Sequence, residues 1–286
     1  MTGGAAMQAQ EMKVDMQSGH PLDIATQLTP EGEGRLSGQT TADYWNMTGP
    51  YGGITAAILL RAVLDDPRRL GSPVALTVNF CAAIASGAFE VVLVEQRRSR
   101  STQHWSVELR QAGTTAATAS VVCGLRRETF AHAPVAPPRL PPIEEVAPAD
   151  MSGRMNWLQR YRFHFAEGAP AFGTVPLARL GSARSLLWLS DAPARPLDFV
   201  SLAAMADAFI LRLLQVRGTF VPGSTVSLTT YFHATAEELQ AQGSAPLCGV
   251  ADARRFNAGF HDQTMELWGA GGTLLASGVQ VVWYKE

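Results

Sequence analysis

At 286 residues, with 47% hydrophobic and 17% charged side chains, the chain has room for about two domains, each with its own core. A net charge of −2 argues against a general nucleic-acid or membrane-binding surface. Cys81, Cys123 and Cys248 are odd in number and set in apolar segments, and the six histidines have no ligand spacing, which argues against a disulfide framework or a metal site.

In chain order, the opening MTGGAAMQAQEMKVDM lacks the cationic start and apolar stretch of a secretory signal. No run of about 18 apolar residues occurs elsewhere. These features predict a cytoplasmic protein with no stable membrane insertion and a disordered N-terminus over residues 1–27. A first helix is predicted over Gly53–Val63. Four strands follow: Val74–Ala82, Phe89–Arg97, Thr102–Gln111 and Thr115–Arg126, alternating in polarity and separated by turn residues. Prolines at 134, 137, 138, 141, 142 and 148 make residues 130–150 an extended linker. Beyond it the order repeats. A helix is predicted over Asp198–Val216, then strands over Thr225–Ala234, Leu247–Phe256, Gly259–Trp268 and Leu274–Tyr284. The expected units are therefore residues 28–129 and 151–286.

The repeat is also visible residue by residue. Ala75–Ala82 (ALTVNFCA) matches Ser227–Ala234 (SLTTYFHA), with Phe80 and Phe232 152 positions apart. Val107–Thr115 (VELRQAGTT) matches Met265–Thr273 (MELWGAGGT) at an offset of 158, so the second copy has gained about six residues. A helix followed by hairpin-linked strands builds an antiparallel sheet. The second helix has almost no polar face (Val200, Ala203, Ala204, Ile210, Leu211, Leu214), so it should be enclosed. A sheet curled round a central helix encloses one, which predicts an α+β double hot-dog.

Several segments, in this order and spacing, resemble the acyl-CoA thioesterase II family of bacterial double hot-dog enzymes. They are Tyr51-Gly52-Gly53, Leu76–Phe80, the turn Arg97–Ser101, Ala206-Asp207-Ala208, Thr225 through Phe232-His233, Gly259-Phe260 and Leu275–Gln280. The resemblance covers roughly residues 28 to 286. It implies hydrolysis of acyl-CoA to fatty acid and CoA without a cofactor, by a water held between an aspartate, a threonine and a glutamine. The matching positions are Asp207, Thr225 and Gln280. It also implies a homo-oligomer. The turn has Ser99 where the family usually has glycine.

Asp207 has only apolar neighbours at helical spacing, so an ionised carboxylate there needs partners. Desolvation would raise its pKa and suit it as a general base. The plainer reading is a buried polar group that caps nearby backbone. Gln280 falls where the first copy has Val122 and Thr225 where it has Pro73, so the polar set belongs to one copy. Thr225 alone is an ordinary strand residue, and Gln280 could face solvent at an edge. Gly52 and Gly53 open an apolar helix whose first N–H groups could meet an oxyanion or a phosphate, or could simply allow tight packing. Arg97, Arg98 and Arg100 could bind CoA phosphates or form a solvated turn, with Arg254 and Arg255 on the related turn. His233 reads as a core imidazole. No G-x-S-x-G, Walker or H-E-x-x-H motif is present, which favours direct attack by water over a covalent serine. Two alternatives remain, a non-catalytic acyl-CoA or lipid-binding protein and an enoyl-CoA hydratase.

Overall fold

The computed structural model describes residues 19–170 and 181–285. Most of the N-terminus expected to be disordered, residues 1–18, lies outside the described residues. Its last part departs from that expectation. Pro21–Ala25 form helix α1, with Leu22 and Ala25 buried and the His20 ring accepting the Leu22 N–H. Two buried aliphatic side chains and a cap are enough to order so short a segment against the core.

In the first half a hairpin of β1 (Thr29–Gly32) and β2 (Arg35–Gln39) precedes helix α2 (Gly52–Leu64). Strands β3 (Ser72–Phe80), β4 (Ala88–Arg98), β5 (Thr102–Gln111) and β6 (Thr114–Gly124) follow. The second half has β7 (Tyr161–Glu167), β8 (Ser185–Asp191), helices α3 (Phe199–Met205) and α4 (Arg212–Arg217), then β9 (Gly223–Phe232). Helix α5 (Ala236–Gln242) leads to β10 (Leu247–Asp252), β11 (Phe256–Asn257), β12 (Phe260–Trp268) and β13 (Leu274–Tyr284). The proline-rich stretch between the halves has one 3-10 turn, Ile143–Glu145, and runs beside β7 and β8: His164 bonds the Val146 carbonyl and Trp188 the Pro141 carbonyl.

The strands form one antiparallel sheet in the order β1-β2-β4-β5-β6-β3-β9-β13-β12-β10-β8-β7, with β11 appended to β12. From the middle outward both halves have the same order, β3-β6-β5-β4-β2-β1 and β9-β13-β12-β10-β8-β7. The halves meet where Thr77 faces Thr229, hydroxyl oxygens 3.0 Å apart. These two residues are separated by the repeat offset itself, so the pseudo-two-fold axis passes through this pair.

Alternation along the strands sends Leu76, Val78, Trp105, Val107 and Leu109 to the inner face, against α2. Every residue of α2 from Gly53 to Leu60 is buried. Each large aliphatic side chain enclosed this way contributes about 1.5–3 kcal/mol. The packing of α2 on α3 is close because Gly53 lacks a Cβ: one placed there would stand 2.4 Å from the Ala204 carbonyl oxygen. The residues gained by the second copy fall in α5, whose Thr235 and Glu238 form a reciprocal cap.

Three expectations need correction. The helix predicted over Asp198–Val216 is broken: α3 ends at Met205 and α4 begins at Arg212. His233 is exposed beyond the end of β9, its Nε2 2.8 Å from Ser277 Oγ. The first-copy counterpart of Gln280 is Val121, not Val122. Gln280 faces Leu228 across β13 and β9, and the equivalent Leu76 faces Val121 across β3 and β6. The one-residue slip matters because neighbours on a strand face opposite ways; Val121 points inward.

Candidate active site

Asp198 caps α3 by accepting the Ser201 N–H at 2.8 Å. The helix then tightens as it ends: Asp207 N–H reaches the Ala204 carbonyl at 3.3 Å and Ala208 N–H the Met205 carbonyl at 3.0 Å, both three residues back. Asp207 therefore sits on the step that leaves the helix, inside the molecule and 8% exposed. Its Oδ2 lies against Gly52, where a Cβ would come within 2.6 Å. A side chain at Gly52 would take the space that the carboxylate occupies.

Gln280 projects inward from β13 and is 2% exposed. Thr225 Oγ1 on neighbouring β9 donates to Gln280 Oε1 at 2.8 Å. An ionised carboxylate only accepts, so the amide turns its donor end, Nε2, toward Asp207 and leaves Oε1 to the Thr225 hydroxyl, which can donate as well as accept. Nε2 is buried and makes no full hydrogen bond, yet it stands near enough to the carboxylate to favour its charge. The Gly53 backbone N–H favours the charge as well. Burial outweighs both and pushes Asp207 up to about 7. This group can take a proton near neutral pH beside a donor with capacity to spare.

Gln263 on β12 stands directly opposite Gln280 in the ladder and is 1% exposed. Its Oε1 accepts the Arg212 N–H at 3.0 Å and its Nε2 donates to the Phe209 carbonyl at 3.1 Å. The Arg212 guanidinium is buried, donating to the carbonyls of Ile210 and Ala183 and, at 2.6 Å, to Ser185 Oγ. Desolvation lowers it to about 10. The sequence reading missed both residues. For Gln263 a signal existed, because its counterpart in the first half is Trp105, which faces Val121 as Gln263 faces Gln280.

The structure thus brings Asp207, Thr225, Gln280, Gly52 and Gly53 together. It does not bring Arg97, Arg98 and Arg100 to them. Their turn lies at the Ser72 end of β3, through the pairings of Thr102 and Ser72 with Gly124. Thr225 lies past the other end, since Ser227 faces Asn79. The nine residues of β3 separate the two places, about 30 Å at the rise of a strand. Arg98 is held by Glu95 at 2.8 Å, and the Ser99 hydroxyl closes the turn by accepting the N–H groups of Ser101 and Thr102. Arg254 and Arg255 are at the Thr225 end instead, on the turn before Phe260, because Trp283 pairs with both Phe260 and Ser224.

A narrow crevice lies beside α2, lined by Tyr44, Ile54, Ile58, Phe89 and Leu109 among others; Asp207, Thr225 and Gln280 are not part of it. Among the described residues no group of three or more His, Cys, Asp or Glu side chains is placed to hold a metal ion, and no helix is long and apolar enough to cross a membrane.

Comparison with known proteins identifies the family. The family described as acyl-CoA thioesterase N-terminal domain matches residues 41–124, and that described as acyl-CoA thioesterase C-terminal domain matches residues 137–284. The chain belongs to the acyl-CoA thioesterase family. It is a thioester hydrolase with the double hot-dog fold. The chain is 40% identical to a conserved protein of unknown function with a hot dog fold from Alicyclobacillus acidocaldarius, over 94% of this chain and 99% of that one (TM-score 0.88). It is 18% identical to the tesB protein of Mycobacterium avium subs paratuberculosis, over 93% and 98% of the two chains (TM-score 0.74). With the acyl-CoA thioesterase II TesB2 of Mycobacterium marinum it shares 16% identity over 92% and 98% (TM-score 0.71). Likeness at these two levels of identity speaks for the fold. Curated proteins give no match.

Proposed function

We propose that this thioesterase hydrolyses acyl-CoA to a free fatty acid and CoA by direct attack of water, with Asp207 as general base. The observation that carries the reading is a buried carboxylate near neutral pKa beside the Gln280 amide, whose Nε2 has no full hydrogen bond. A water between them donates one proton to Asp207 and accepts from Gln280, which leaves a lone pair for the thioester carbonyl carbon. The oxyanion of the tetrahedral intermediate meets first-turn N–H groups of α2. Collapse breaks the C–S bond, and the proton on Asp207 passes to the departing thiolate. Thr225 acts through the amide it orients.

The first half supplies the α2 start against which the reaction takes place. Arg254 and Arg255 lie at the same end of the sheet, and planar forked donors there are our candidates to bind the CoA phosphates. Residues Tyr231, Val279, Val281 and Trp283 are exposed on neighbouring strands β9 and β13. That outer face supports a homo-oligomer; sedimentation at a multiple of the chain mass is the expected result, and a monomer at micromolar concentration would refute it.

The test is thiol release across a panel of acyl-CoA chain lengths, by wild type and by Asp207→Asn. Turnover by wild type alone supports the proposal. Turnover that Asp207→Asn retains contradicts it. Tight acyl-CoA binding without thiol release would point to a non-catalytic lipid-binding protein, and water addition to an enoyl-CoA without thiol release to a hydratase.

A further inference from the structure

The break between α3 and α4 has no local cause. Residues 206–211 (ADAFIL) contain neither proline nor glycine, and the surrounding sequence would propagate a helix. A break frees backbone groups that an α-helix would have paired, and buried backbone groups need partners. Here one side chain from another strand supplies two of them. Gln263 donates to the Phe209 carbonyl and accepts the Arg212 N–H, spanning the segment that follows Asp207. The Arg212 side chain turns back onto the Ile210 carbonyl and ties the same segment to Ser185 on β8. Were the helix to continue, the Asp207 side chain would rotate with the next turn and leave its place against Gly52.

The repeat provides a control. At the same ladder position the first half has Trp105, and its helix α2 runs unbroken from Gly52 to Leu64. The half with glutamine has the broken helix and the half with tryptophan the continuous one.

We propose that Gln263 is a positioning residue: by replacing the helical partners of Phe209 and Arg212 it holds the break open and fixes the Asp207 carboxylate beside Gln280. This rests on the reading of Asp207 as general base. It predicts that the reaction depends on a residue that touches neither water nor substrate.

The experiment compares wild type, Gln263→Leu and Gln263→Glu. Leucine keeps the bulk and removes both bonds; glutamate keeps the acceptor for the Arg212 N–H and loses the donor to Phe209. For Gln263→Leu we expect kcat to fall about a hundredfold with KM within about twofold, since a displacement of an ångström in a reacting group has effects of that size. The acid limb of kcat should also move below the wild-type position as water reaches the carboxylate. Gln263→Glu should lie between the two. Amide hydrogen exchange across residues 206–212 should lose protection in Gln263→Leu while β3 and β9 keep theirs. A folded Gln263→Leu with wild-type kcat, acid limb and exchange overturns the inference. If that variant does not fold, Gln263→Glu decides, and wild-type kcat in it overturns the inference. Should Asp207→Asn be inactive while Gln263→Leu is fully active, this inference alone fails. Should Asp207→Asn remain active, the reading of Asp207 fails, and exchange across the break still judges whether Gln263 holds it.

Discussion

The two halves share strand order, a central helical segment and even the threonine at their joint, Thr77 and Thr229, yet at three matching inward positions their chemistry is opposite. The first half has Pro73, Trp105 and Val121; the second has Thr225, Gln263 and Gln280. In the first half these positions complete an apolar core around an unbroken helix. In the second, Gln280 stands beside a carboxylate that burial has pushed up to about 7, Thr225 bonds that amide, and Gln263 bonds the backbone that follows the carboxylate. Duplication gives two equal scaffolds, and polar residues at a few inward positions turn one of them into a reaction centre. Buried polar groups are tolerable there because each meets another, as Thr225 meets Gln280 and Gln263 meets the broken backbone.

The comparison is broken most severely by Asp207→Asn, which keeps the shape and removes the base. We expect thiol release to fall by about 10²–10⁴-fold. Stability should move the other way. The folded-state pKa lies above the ordinary 3.8, so the folded protein holds a proton that the unfolded chain has already lost. The stabilisation from that retained proton is present at acid pH and is lost as pH rises through the interval between 3.8 and about 7. The shift corresponds to roughly 4 kcal/mol, an upper figure for what Asn recovers at pH 8. A higher Tm for Asp207→Asn at pH 8 in scanning calorimetry is the expected result.

Next comes Gln280→Val, which gives the second half the residue of the first. Loss of the donor to water should lower kcat about a hundredfold. Thr225→Val leaves the amide in place but unoriented and should cost about tenfold, as befits a single hydrogen bond of 1–1.5 kcal/mol. Equal losses for the two variants in steady-state thiol release would argue that Thr225 contacts the water itself.

The two glycines separate chemistry from packing. Gly52→Ala puts a methyl on the Asp207 carboxylate and should lower kcat with a small change in Tm. Gly53→Ala pushes α2 off the Ala204 carbonyl and should destabilise the fold by about 1–3 kcal/mol in denaturant titration. The smallest effects concern the arginines. Replacing Arg254 and Arg255 with alanine should raise KM for acyl-CoA about threefold, while Arg97→Ala with Arg100→Ala should leave it unchanged, as exposed ionic contacts are weak.

Much of the fold was legible because the repeat doubled every signal. Eight strands and α2 follow from alternation and from residues 152 or 158 apart. The outer strands were not read. β1 (TPEG) and β2 (RLSGQ) carry no apolar alternation, and β7, although Tyr161 and Phe163 alternate inward, has no match at either offset. At the site, Asp207 was legible as a carboxylate among alanines and isoleucine, and Gln280 as an amide where the repeat has valine. The break after Met205 was not, since its cause lies on β12, some fifty residues on. The register of Val121 against Gln280 was missed by one residue for a similar reason. The loop joining β12 to β13 is longer than the one joining β5 to β6, and short sequence matches on either side of it do not reveal where the extra residue falls.

The most direct test of the central claim is the pH profile of kcat for thiol release, from pH 5 to 9, in wild type and Asp207→Asn. With Asp207 as the base, the wild-type rate climbs with unit slope, bends near pH 7 and stays level above it. The variant is then flat and lower throughout by at least about a hundredfold. A wild-type profile with no limb near neutrality, or an Asp207→Asn profile that overlays it, would contradict the claim that this carboxylate activates water.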